Sequence, residues 1–184
     1  MPIVNDQRLP TGSFQSRAFT SAEDRVGFIP QIPEITKDLR SLVLELTPEQ
    51  LDTPYRQGGW TPKQVIHHMA DNDMNAYIRF KRALTEDVPL AGSYREDLWA
   101  ELSDYRDLPV EDSILFLEAL HYRFVILLNG LQPDDFQRKL QTQVLGEITL
   151  DTALQRLIWH NRHHMAQISH LLGRDRVDSY KGGF

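Results

Sequence analysis

Residues 159–172 read WHNRHHMAQISHLL and hold four of the seven histidines of the chain. Whether this is a helix, and which of its histidines share a face, decides how the rest is read. An α-helix advances about 100° per residue, so residues four apart lie about 40° from one another. His160 and His164 are therefore neighbours. Leu157, Met165, Ile168, Leu171 and Leu172 fall on the adjoining side and make an apolar stripe along whose flank the two histidines sit. His163 and His170 point elsewhere, beside Trp159. They are expected at the surface.

Working outward, apolar spacing and end signals predict long helices at about 21–46, 61–85, 110–129 and 150–172. Four stretches have the form of capping boxes, in which a Ser or Thr caps a helix and a Glu or Gln three residues later reaches back. These are TSAE at Thr20, TPEQ at Thr47, TPKQ at Thr61 and SYRE at Ser93, the last opening a short connecting helix. Pro30 and Pro33 should kink or interrupt the first long helix, and Gly130 and Gly173 should stop the third and fourth. Residues 140–150, LQTQVLGEITL, alternate apolar and polar about Gly146 and suggest a small hairpin. The expected fold is all-α: one domain over residues 1–184, a four-helix bundle whose long second connection carries short helical structure.

Composition narrows the function. With 41% hydrophobic and 25% charged residues, 184 residues suffice for one soluble domain with a sizeable core. A net charge of −6 without a long basic run argues against nucleic acid and anionic membrane as partners. No stretch has the form of a signal peptide, and the apolar run at Phe124–Leu128 is far too short to span a bilayer, so a cytoplasmic location is expected. The chain has no cysteine, so any metal must be held by His, Asp or Glu, and any reactive sulfur must arrive with a substrate.

The second long helix supplies a third histidine. His68 flanks the apolar stripe of Val65, Met69, Ala76 and Phe80 as His160 and His164 flank theirs, and Gln64, Asn72, Asn75 and Arg79 continue a polar edge beside it. A core helix has no need of such an edge, which makes these four the candidates for substrate binding. His67 points about 100° away and is expected to be exposed or at a subunit contact. Two histidines from one helix and one from another can close a three-nitrogen site with a position left open, the pattern of catalytic metals. Zinc suits neutral imidazole, while nickel, iron and copper also accept it. The residue after the first ligand of the pair is Asn161 and not the general-base glutamate of the His-Glu-x-x-His peptidases. Asp71 points away from His68 and reads as a solvated residue; His121, on the third helix, has no assigned place.

The stretches GGWTPKQVIHHMAD (58–71), AYIRFK (76–81) and ITLDTALQRLIWHNRHHMAQI (148–168) resemble the DinB-like superfamily, and with LDTPYRQGGW (51–60) its YfiT-type branch, the bacillithiol S-transferases. The likeness runs from LPTG (9–12) to the end of the fourth helix. It implies a four-helix bundle holding one divalent metal per chain, zinc first and nickel next, on His68, His160 and His164. It also implies a homodimer, for whose contact Trp159, His163 and His170 are candidates. Three functions follow. The metal could activate a low-molecular-weight thiol, bacillithiol or a similar one, for S-conjugation to a small electrophile, with Arg79 meeting the thiol's carboxylates. It could serve a hydrolase through metal-bound water, the label the branch has also carried. Or the bundle could bind metal or thiol without turnover.

Overall fold

The computed structural model describes residues 9–17 and 22–174. Helices α1 (Ala22–Phe28) and α2 (Gln31–Leu44) replace the first expected long helix, interrupted where Pro30 supplies no amide hydrogen. Pro33 falls within the first turn of α2, where a missing donor is tolerated. The short α3 (Pro48–Leu51) and the long α4 (Pro62–Thr85) both open on complete capping boxes, Thr47 with Gln50 and Thr61 with Gln64. Thr20 lies outside the described residues. After α5 (Glu96–Trp99) and α6 (Ser103–Asp107) come α7 (Val110–Asn129), a 3-10 turn at Pro133–Gln137, strands β1 (Lys139–Thr142) and β2 (Gly146–Thr149), and α8 (Leu150–His170). Gly130 and Gly173 follow the ends of α7 and α8 as expected.

Ser93 does not cap α5. Its hydroxyl donates to Gln143 at 2.7 Å, and the helix begins after Arg95 with no side-chain cap. The hairpin partner that draws Ser93 away is 50 residues distant, so a local pattern could not show it.

Helices α2 and α4 each pack against both α7 and α8. Helices α2 and α4 thus sit on one diagonal of the bundle and α7 and α8 on the other, while the long connection between α4 and α7 joins neighbours. The core runs through the middle, with Ile35, Leu39, Met69, Phe80, Leu117 and Phe124 buried. A polar layer crosses it. Thr36 of α2 meets His121 Nδ1 of α7 at 2.6 Å, His121 Nε2 meets Asp73 Oδ2 of α4 at 2.7 Å, and Asn161 of α8 donates to both Asp73 oxygens at 3.0 and 2.9 Å. One residue from each long helix takes part, all four are buried, and the helices are thereby held in one register.

The hairpin pairs Lys139 with Thr149 through Thr142 with Gly146, and Gly146, at φ +67°, closes its three-residue turn. Residues 89–91 lie along β1: Ala91 N–H donates to Gln141 O at 2.8 Å, and Gln141 N–H donates to Pro89 O at 3.0 Å. The second connection and the hairpin therefore stand together as a wall beside α4 and α8. Among the described residues no helix is long and apolar enough to cross a membrane.

Candidate metal centre and its cleft

His68 comes from the second turn of α4, held there by the Thr61 cap, and His160 and His164 from successive turns of α8. Their rings converge. His160 Nε2 lies 3.3 Å from His68 Nε2 and 3.2 Å from His164 Nε2. Ligands about 2.0–2.1 Å from a tetrahedral zinc are separated by about 3.3–3.4 Å, so these nitrogens stand at the spacing of a coordination shell. The donor set fits a borderline cation. Burial pushes the His68 imidazolium down to about 4. Burial and the neighbouring histidines push those of His160 and His164 well below the ordinary range. All three are neutral at neutral pH, as ligation requires.

The surroundings fix the rings. Trp60 packs against His68 with centroids 4.8 Å apart. His164 Nδ1–H donates to Gln167 Oε1 at 2.8 Å, which leaves Nε2 its lone pair. Gln167 Nε2–H in turn donates to His163 Nε2 at 3.0 Å, and His163 Nδ1 meets the Thr11 hydroxyl at 3.0 Å.

His160 is partly exposed and opens onto a cleft of about 340 Å³. The cleft lies between α4, residues 91–97, the hairpin and α8. Of the residues expected to meet substrate, Asn72 and Arg79 line it. Gln64 and Asn75 do not. Gln64 accepts from the Thr61 amide in the capping box and donates to Ala100 O at 3.1 Å, while Asn75 donates to Asp71 O at 2.8 Å. Two cleft residues escape the sequence reading. Arg156 stands one turn before His160 on the same face, so the spacing that paired the histidines also marks it. Tyr94 comes from an irregular stretch with no periodicity to expose it. Its hydroxyl is buried without a partner among the described residues, and burial raises its pKa.

Three expectations are corrected. His67 is buried, its Nδ1 2.7 Å from the Ser113 hydroxyl and its ring against Tyr105. Asp71 is half-buried and accepts from the Tyr105 hydroxyl at 2.7 Å; burial raises its carboxyl. Both follow from α6, which supplies Tyr105, and for His67 also from α7, which supplies Ser113, packing onto α4. Trp159 and His163 are covered by residues 9–17: Phe14 packs on Trp159 at 5.7 Å, and the Gln155 amide grips the backbone N–H and C=O of Arg17 at 2.8 and 2.7 Å.

Residues 31–168 match the DinB superfamily. The chain is 43% identical over 171 residues to proteins of Bacillus cereus (strain 03BB102) and Bacillus thuringiensis subsp. konkukian (strain 97-27), covering 93% of this chain and 98% of theirs. Both are named "Putative metal-dependent hydrolase". YfiT from Bacillus subtilis, described as a probable metal-dependent hydrolase with an unusual four-helix bundle topology, superposes with a TM-score of 0.88 at 40% identity, over 93% of this chain and 98% of that one. The four-helix bundle protein TT2238 shares the fold at a TM-score of 0.53 and 20% identity, over 77% and 96%.

Proposed function

We propose, for a chain that belongs to the DinB superfamily, that His68, His160 and His164 hold one divalent metal, zinc before nickel, and that the protein is a transferase joining a small thiol to an electrophile. The observation that carries this reading is the convergence of three neutral Nε2 atoms at 3.2 and 3.3 Å beside an open cleft. A divalent cation there would lower the pKa of a thiol or a water that joined it.

The residues of the chain do the rest. With no cysteine of its own, the protein takes its sulfur from a soluble thiol such as bacillithiol. Asn72 and Arg79 on the cleft wall orient it. Tyr94 keeps its proton at Oη because burial raises its pKa, and can donate a hydrogen bond to the leaving group. The apolar wall of Phe80, Leu140 and Leu157 suits an apolar electrophile and limits water. A homodimer is proposed with it, its contact lying away from the covered side of α8.

Hydrolysis is the second reading, and one observation favours it beyond the relatives' names: Glu96 lines the same cleft and brings to it a carboxylate able to accept a proton. The readings part in one experiment. Metal-loaded protein is given a thiol with a haloarene, and separately a nitrophenyl ester. Conjugation that stops on chelation, and whose advantage over the uncatalysed reaction shrinks as pH rises and free thiolate accumulates, supports the transferase. Chelation-sensitive ester cleavage with no acceleration for any thiol overturns it for the hydrolase.

A further inference from the structure

Beyond the histidines the cleft divides into an apolar floor and a charged rim, and the helical period shows why. On α4 the residues Ala76, Arg79 and Phe80, and on α8 the residues Ala153, Arg156 and Leu157, repeat one pattern: an alanine, an arginine three residues on and a large apolar residue four residues on, all lining the cleft. At about 100° per residue the alanine lies between the other two, about 60° from the arginine and about 40° from the apolar side chain. Phe80 and Leu157 are 1% and 3% exposed, and Phe80 is fixed edge-on to Phe124 with ring centroids 4.9 Å apart. Both arginines are half-buried, Arg79 tied to Gly92 O at 2.6 Å, and the other charged residues of the cleft, Arg95, Glu96 and Asp97, are exposed.

The hairpin closes the far side. Leu140 and Ile148 are paired directly across it, so both point to one face, and that face lines the cleft with Ala91 beside them. Ala76, Ala91 and Ala153 thus meet one recess from α4, the second connection and α8, where larger side chains would fill it. Ala76 lies eight residues from His68 and Ala153 seven from His160, a rise of about 10–12 Å along antiparallel helices. The recess is therefore the end of the cleft two turns away from the histidines and continuous with them. An open apolar recess forgoes the contacts its walls could make, and a ligand that brings apolar surface supplies them.

We infer that this end of the cleft seats an unbranched alkyl chain, and that the electrophile of the site carries its reactive carbon at the end of such a chain. The inference rests on the proposed transferase reading and adds to it the class of the acceptor. A chain of roughly eight carbons, at a C–C bond length of about 1.5 Å, spans the distance from the histidines to the alanines. A chain suits the space better than a ring because the recess runs along the helices, between walls that carry the same small residue at the same depth. In the reaction the thiol sulfur bonds to the reactive carbon, the leaving group departs with the electron pair of its bond, and the thiol proton goes to solvent.

The test uses N-alkylacetamides, which carry the chain without a leaving group, and the matching N-alkylchloroacetamides, from which the thiol displaces chloride. Titrated calorimetrically into the zinc-loaded full chain, N-octylacetamide should bind at least tenfold tighter than N-butylacetamide, each methylene being capable of about fourfold. It should also bind tighter than N-(2-phenylethyl)acetamide, a ring-bearing amide of equal carbon number. Ala76→Leu and Ala153→Leu fill the recess from opposite helices and keep good helix formers there, and both should weaken binding of the octyl amide at least tenfold; circular dichroism and zinc content confirm that the variants remain folded. Equal binding of butyl and octyl chains, a phenylethyl amide bound as tightly as the octyl one, or octyl binding unchanged in either variant overturns the inference. Turnover with 2-mercaptoethanol separates it from the reading beneath it. The kcat/KM of the octyl chloroacetamide should be at least tenfold that of the ethyl one, and this ratio should fall at least tenfold in Ala153→Leu. Chloroacetamides turned over without regard to chain length remove the chain site and spare the transferase. Octyl amide binding lost in the variants, with no chloroacetamide turned over by any form, removes the transferase and spares the chain site.

Discussion

A histidine binds metal through a nitrogen that keeps its lone pair, so what matters at each ring is which nitrogen holds the proton and what holds that proton in place. For His164 the answer is Gln167. For His68 and His160 it is burial that keeps the ring neutral. His68→Ala, His160→Ala and His164→Ala should each purify with little metal, whereas His170→Ala should keep about one equivalent; elemental analysis checks this, and full occupancy in any of the first three would remove that residue from the shell. The same neutrality makes stability depend on pH. An unfolded histidine takes up its proton near 6.5, while folded His68 resists it down to about 4. Between those values the unfolded chain binds more protons, so the metal-free protein loses stability as pH falls from about 6.5 towards 4 and is unaffected by this group above. On the order of 2 kcal/mol should be lost by pH 5 for one such residue. Urea midpoints of the metal-free protein at pH 7 and pH 5 measure it, and equal midpoints would contradict the burial of neutral imidazole.

At the scale of elements, the helical period carried most of the fold and the metal site. His68, His160 and His164 stand where their positions beside the apolar stripes put them, since a rigid helix converts spacing into direction. The environments of His67 and Asp71 were illegible because Tyr105 and Ser113, which cover them, belong to α6 and α7 and reach them only through tertiary packing. Arg156 was legible in principle, four residues before His160, but an arginine flanking a helix stripe is so often solvated that position alone does not mark it. The polar layer belongs to the same class: Asp73 and Asn161 face inward on their helices, yet nothing local says that His121 and Thr36 await them. This layer predicts an effect. Asp73→Ala takes the acceptor from His121 Nε2 and two bonds from Asn161, in a part of the core that cannot supply water. A loss of about 3 kcal/mol is expected, read as a lower urea midpoint with helicity retained; a loss under about 0.5 kcal/mol would show that the layer does not bind the helices together.

For the whole molecule, the segment 9–17 changes what α8 is. A bundle helix normally presents one face to solvent, but α8 buries Gln155, His163 and Gln167 as well as its inward-facing residues, because this segment lies across what would be its outer side. Leu9 O accepts from Gly12 N–H at 2.9 Å, closing a turn that directs the Thr11 hydroxyl to His163. From there two more hydrogen bonds reach His164 Nδ1. The start of the chain thus supports a metal-site residue more than 150 positions away in sequence, through partners of the kind whose loss typically weakens metal affinity 10- to 100-fold. Removing residues 1–17 should leave helicity nearly intact, since the deletion ends before the first helix residue, Ala22, yet weaken zinc binding by roughly tenfold in competition with a chelator. Thr11→Val, which keeps the segment but cuts the relay at its first bond, should reproduce part of that loss. Were the deletion to bind zinc as tightly as the full chain, the segment would be a cover for α8 and the relay would carry nothing to the metal.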